Sequence, residues 1–158
     1  MAADVHLRLD QLHGDWHVRA TSFPMWLNGR RQRPTIHYAP GRRGGRDGLI
    51  DVVRYDQAGR SRSVRGFDHP LDDSGTRFVW RGSGLLFPFV SRWAIRAFDG
   101  DAGWMFITFD RTLFTPKGCD LLVRDPATDA GSVRAHLETI AARLPDVAAF
   151  GTPVILPG

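Results

Sequence analysis

The feature that most restricts what this chain can become is its rhythm: eight short stretches of alternating apolar and polar residues follow one another along most of its length, each ended by turn residues. A period of two means that one face of each stretch is buried, and many such strands at close spacing predict an all-β sandwich or barrel. The stretches read 15–22, 35–38, 48–55, 61–68, 76–80, 91–99, 103–115 and 119–125. In the first, Trp16, Val18 and Ala20 share one face and His17, Arg19 and Thr21 the other. Gly59 in "DQAG", the run "DGDAG" at 99–103 and "TPKG" at 115–118 are tight turn signals, which favour antiparallel neighbours. The period then changes: Thr128 or Asp129 caps a helix whose apolar residues Val133, Leu137, Ile140 and Leu144 fall at helical spacing, and Pro145 ends it.

Up-and-down strands avoid exposed edges by closing on themselves. The expected architecture is therefore an eight-stranded antiparallel up-and-down β-barrel at about 14–125, an α-helix at about 129–144 packed outside it, and an apolar strap at 145–158. All 158 residues form a single domain in this reading, a length that buries one core. With eight strands the interior is just wide enough for side chains or for one small ligand.

Charge narrows the partners. The net charge is +4, and every basic residue but Lys117 is an arginine, a bias that genome base composition explains. A basic chain raises nucleic acid as a partner. The arginines are scattered, however, and the dense runs 30–33 and 42–46 read as solvated Gly- and Pro-rich loops, so no nucleic-acid partner is expected. Cys119 is the sole cysteine, which rules out an intrachain disulfide and permits a reducing compartment. The start "MAADVHLRLDQL" has no apolar h-region and no stretch reaches membrane-span length, so a cytoplasmic protein, monomeric or weakly dimeric, is expected.

Gly14-Asp15-Trp16 heads the first strand, and Arg124 in "DLLVRDP" leaves the last. This pair, the strand count and the single trailing helix resemble the lipocalins of the calycin superfamily, in which a Gly-x-Trp motif opens the barrel and its Trp packs across the closed end against such an Arg. The resemblance covers essentially the whole chain and is closest to small bacterial lipocalins, through "YDQAGRSRSVRG" at 55–66 and "LVRDP" before the helix. It implies barrel closure by Gly14, Trp16 and Arg124. The family's Thr-Asp-Tyr type motif is replaced by "FDRTLFTPKGCD", and the lipoprotein signal of the bacterial relatives is lacking. A family branch that isomerises a lipid peroxide uses a cysteine in an early strand; Cys119 starts the last one, so that role is not carried over.

No two of the six histidines have a zinc-site spacing, and neither metal nor cofactor is expected; His37, on a short strand, is the one histidine that would face inward. The apolar faces Phe78/Trp80, Trp93/Ile95 and Trp104/Phe106/Thr108 are expected to point inward, with Arg77, Arg81, Arg92 and Arg96 opposite. Phe23, Met25 and Trp26 of the loop "SFPMWLNGRRQRP" form a lid, and 84–90, containing Phe87, lines the same mouth. Polar orienting groups come from Asp51, Arg54, Tyr55, Arg65, Thr108 and Asp110, whose facing a one-residue bulge would invert. The expected ligand-binding set is Phe23, Trp26, His37, Tyr55, Arg65, Trp80, Phe87, Trp93, Trp104, Phe106 and Thr108.

The expected function is binding of a small hydrophobic, anionic molecule, fatty-acid-like or polyketide-like, inside the barrel. The alternative is a cofactor-independent cyclase or isomerase of natural-product biosynthesis that uses the cavity to fold its substrate. A third reading is a barrel packed solid by its own side chains that binds partners on its surface.

Overall fold

The computed structural model describes residues 5–86, 88–113 and 115–158; Phe87, one of the expected site residues, lies outside them. Strands β1 (Gly14–Thr21), β2 (Arg31–Arg43), β3 (Arg46–Gln57), β4 (Arg60–Pro70), β5 (Arg77–Gly82), β6 (Val90–Asp99), β7 (Trp104–Phe109) and β8 (Gly118–Val123) pair antiparallel, each with the next. Pairing of β1 with both β8 and β2 closes the barrel. A short helix α1 (Pro24–Leu27) follows β1, and the longer α2 (Ala130–Arg143) follows β8. The tail then makes one 3₁₀ turn and adds β9 (Val154–Ile155) beside Ala20 and Thr21 of β1, so the expected strap ends as a short strand.

The second strand is far longer than the alternation at 35–38 suggests. Arg33 takes up a register shift in the left-handed region (φ 50°), which lets pairing begin at Arg31 in spite of Pro34. At the other end Gly44 and Gly45, both with positive φ, make the two-residue turn that suits the twist of a hairpin. The arginines at 42, 43 and 46 therefore sit on a paired hairpin and not in a loose loop. The seventh strand is shorter than expected: it stops at Phe109, and 110–113 and 115–117 lie outside the sheet.

Two apolar clusters divide the protein. The inner one includes Trp16, Val18, Ile36, Tyr38, Phe78, Trp93, Ile95, Met105, Ile107 and Leu122. The outer one lies under α2, where Ala20, Phe106, Cys119 and Leu121 meet Val133, Ile140 and Val147. Asp129 caps α2 through the Ser132 N–H (2.8 Å). Because the helix covers one side, β7 and β8 are apolar on both faces. Bulges set the facing: the register slips between Val18 and Ala20 in β1, so Ala20 turns outward to the helix and Thr21 inward.

The end near Trp16 is shut. Its indole is buried, donates to the Leu12 carbonyl (3.0 Å) and packs edge-on against Phe98. The Arg124 guanidinium lies 3.8 Å over the Trp16 ring and is held there by the carbonyls of Gln11 (2.9 Å) and Asp15 (3.2 Å). Gly14, at φ 100°, leaves room for that guanidinium: a Cβ there would stand 3.1 Å from it.

Candidate functional site

The opposite end opens into a cavity of about 710 Å³. Packed interiors leave few voids larger than a water molecule, so this volume sets aside the barrel packed solid by its own side chains. Val18, Ile36, Val53, Val64, Trp80 and Trp93 form its walls, with Tyr38, Asp51 and Asp120 among them. Over it lie Phe23, Met25 and Trp26 of the segment entering and forming α1. Pro24 at the first helical position starts that single turn. Phe23 stacks edge-on against Phe109 (5.3 Å), and Trp26 against Tyr55 (5.6 Å). Arg31 lies over Tyr55, and Arg31, Arg92 and Arg111 bring positive charge to the mouth beside Asp110. Leu85 and Leu113 are almost fully exposed.

Phe23 rests on Gly118, where an added Cβ would come within 2.1 Å of its ring. Gly118→Ala is therefore expected to lift Phe23 and loosen the lid, weakening uptake of an apolar fluorescent probe several-fold while the far-ultraviolet circular dichroism of the barrel stays unchanged.

Of the residues expected from sequence, Phe23, Trp26, Tyr55, Trp80 and Trp93 meet in this cavity. Others do not. His37 faces outward and bonds Asp15 (2.6 Å), because its neighbours Ile36 and Tyr38 take the inner face of β2. Arg65 is exposed: Val64 points inward, so the next residue cannot. Trp104, Phe106 and Thr108 sit on the outer face of β7, Trp104 stacked on His136 and Phe106 under α2, while Met105, Ile107 and Phe109 point inward. Both faces of β7 are apolar, and alternation alone chose the wrong one. Among the polar orienting groups, Asp51, Tyr55 and Asp110 line the cavity; Arg54 and Thr108 do not. Cys119 is buried on the outer side, where burial pushes its thiol to about 11, so it stays protonated.

The interior also contains three buried carboxyl groups, of which the sequence reading picked out only Asp51. Asp51 stands cross-strand from Tyr38 and Gly66; Asp68 lies two residues further along β4; Asp120 stands cross-strand from Thr21 and Ile107. Asp51 and Asp68 lie close enough to share a proton, and Asp68 accepts the Trp93 indole N–H (2.9 Å). Trp93 is itself sandwiched between Phe78 and Tyr38. Burial raises all three acids: Asp51 to about 6, Asp120 to about 7, and Asp68 well above the ordinary carboxyl range, helped by the charge of Asp51. A hydrogen bond from Thr21 moderates the rise at Asp120, and burial followed by the three acids lifts the Tyr38 phenol. One oxygen of each acid, Asp51 Oδ1, Asp68 Oδ2 and Asp120 Oδ1, is closed off from water with no N–H or hydroxyl donor on it. Each such group costs about 1–3 kcal/mol. Strand alternation would have found Tyr38, which shares its face with Ile36; Asp68 and Asp120 give no local signal. Among the described residues no cluster of three or more metal-binding side chains occurs, and no helix is long and apolar enough to cross a membrane.

No protein-family description and no curated protein sequence matches the chain. Solved structures do. Lobster apocrustacyanin A1 superposes over 94% of this chain and 79% of its own, with 12% identity and a TM-score of 0.63. The siderocalin Ex-FABP superposes over 84% and 87%, with 13% identity and a TM-score of 0.59. Identities this low speak to architecture alone. With the closed eight-strand barrel, the Trp16–Arg124 stack at its shut end and the helix α2 behind β8, they make the fold of this chain lipocalin-like.

Proposed function

We propose that the barrel binds a small hydrophobic molecule in its interior. The observation that carries this reading is the cavity itself: about 710 Å³, shut at one end, walled by aromatic side chains and covered by a one-turn lid. Sites for small molecules span roughly 300–1,000 Å³, mainly apolar with a few polar groups. The siderocalin Ex-FABP, a barrel of the same fold, is described as functioning through dual ligand specificities. An anionic end, as in a fatty-acid-like or polyketide-like ligand, fits only at the mouth, where Arg31, Arg92 and Arg111 supply charge-assisted hydrogen bonds. In this reading the protein acts as a monomer or weak homodimer in the cytoplasm, with no nucleic-acid partner.

The test is titration of the intrinsic fluorescence of Trp26, Trp80 and Trp93 with long-chain fatty acids, neutral lipids and polyaromatic compounds. A saturable one-to-one change is expected, and Arg31→Gln should weaken the anionic members several-fold. A flat response across the panel overturns the reading. One observation favours a second reading, the cyclase or isomerase: Asp51, which lines the apolar cavity with Asp68 buried beside it, offers a group that can give or take a proton. Conversion of a linear polyketide-like substrate with more than one turnover per barrel would support it over simple carriage.

A further inference from the structure

Buried carboxyl groups without a cationic partner point to what the occupant must bring. Asp51 and Asp120 stand on strands from different parts of the sheet, β3 and β8, yet both line the same cavity, and the field of both, with that of Asp68, reaches Tyr38. Among the described residues no lysine, arginine or histidine forms an ion pair with any of the three. The nearby arginines belong elsewhere: Arg31, Arg92 and Arg111 are at the mouth, while Arg19 points away from the interior to the carbonyls of Pro126 and Thr128. The surrounding surface is aromatic: Tyr38, Trp80 and Trp93 line it, although the faces of Trp93 are covered by Phe78 and Tyr38. A carboxylate or an alkyl tail placed here would leave the two lining carboxyl groups, Asp51 and Asp120, without a counter-charge. A protonated nitrogen would supply it.

We propose that the inner wall formed by Asp51 and Asp120, with Asp68 buried beside Asp51, is a subsite for the ammonium group of an otherwise apolar ligand, which donates to the carboxyl groups of Asp51 and Asp120. The inference rests on the reading of the cavity as a binding site and adds polarity to it: basic nitrogen inward, any anionic group outward among the mouth arginines. The aromatic walls hold the carbon skeleton between. Burial keeps Asp51 and Asp120 partly protonated near neutrality, and an arriving ammonium ion draws them to the charged form.

The experiment is displacement of a neutral apolar fluorescent probe by decylamine, decanol and decanoate near neutral pH, on the wild type and on Asp51→Asn, Asp120→Asn and the double variant. A charge-assisted hydrogen bond predicts that decylamine binds the wild type about tenfold or more tightly than decanol. The amine-to-alcohol ratio should fall about threefold in each single variant and collapse toward unity in the double one. Decylamine binding no better than decanol, or a ratio that survives the double variant, overturns the proposal. The comparison within the wild type stands even where a variant fails to fold. If decanol and decanoate displace the probe and the amine has no advantage, this inference alone fails; if the probe and all three compounds go unbound, the cavity reading fails with it.

Discussion

Trp16→Ala is expected to remove about 3–5 kcal/mol of stability, the range for truncating a fully buried Trp, read as a lowered denaturant midpoint at unchanged slope. That is a large share of the roughly 5–15 kcal/mol that holds a domain of ordinary size together. The indole does three things at once: it fills the shut end, gives its N–H to the Leu12 carbonyl, and supports the Arg124 guanidinium that ties Gln11 and Asp15 to the end of β8. Removing it leaves a cavity and an orphaned carbonyl, and the cation loses its stacking partner. Arg124→Lys is expected to cost about 1 kcal/mol, because an ammonium keeps the charge but lacks the planar face and the fork of donors. In a double-mutant cycle the two changes should be less than additive, since Arg124 has little to stack on once Trp16 is gone. Strict additivity would mean that the stack contributes nothing to closing the barrel.

The second large effect is a dependence on pH. A carboxyl whose folded pKa lies above its unfolded value binds more protons folded than unfolded, so stability declines as pH rises through the interval between them. For Asp120 that interval runs from the ordinary 3.8 to about 7, and for Asp51 to about 6. At Asp120 alone the loss amounts to roughly 4 kcal/mol across the window. The protein should thus be most stable on the acid side of the window and level off above neutrality. In Asp120→Asn the amide still accepts from Thr21 but does not ionise, so this part of the decline should vanish. Wild type and variant melting temperatures compared at both edges of the window should differ by about 10 °C more at the upper edge than at the lower, at a few degrees per kcal/mol for a chain of this size. Equal slopes for both proteins would show that water reaches Asp120 and that the interior is less dry than its packing implies.

Much of the barrel was written in local pattern. Alternation located all eight strands and the change of period at Val133, Leu137 and Ile140 located the helix, while the closed end at Gly14, Trp16 and Arg124 followed from the family resemblance. Local pattern was less good at extents. Nothing at Arg33 announces a left-handed residue, so the strand beginning at Arg31 was read as a loop.

Which face looks inward was decided by tertiary structure. Residues such as Trp80 and Trp93 were placed correctly because their strands have one apolar face. On β7 and β8 the helix covers the outer face, so Trp104 and Phe106 are as apolar as Met105 and Ile107, and only the register across the closed sheet separates them. The acids follow the same rule. Asp51, Asp68 and Asp120 are distant in sequence and unremarkable in their own strands, where an aspartate is normally solvated. Closing the sheet brings all three into one low-dielectric space, and their raised pKa values come from that burial, with the charge of Asp51 adding to it at Asp68 alone; neither is a property of any stretch of chain.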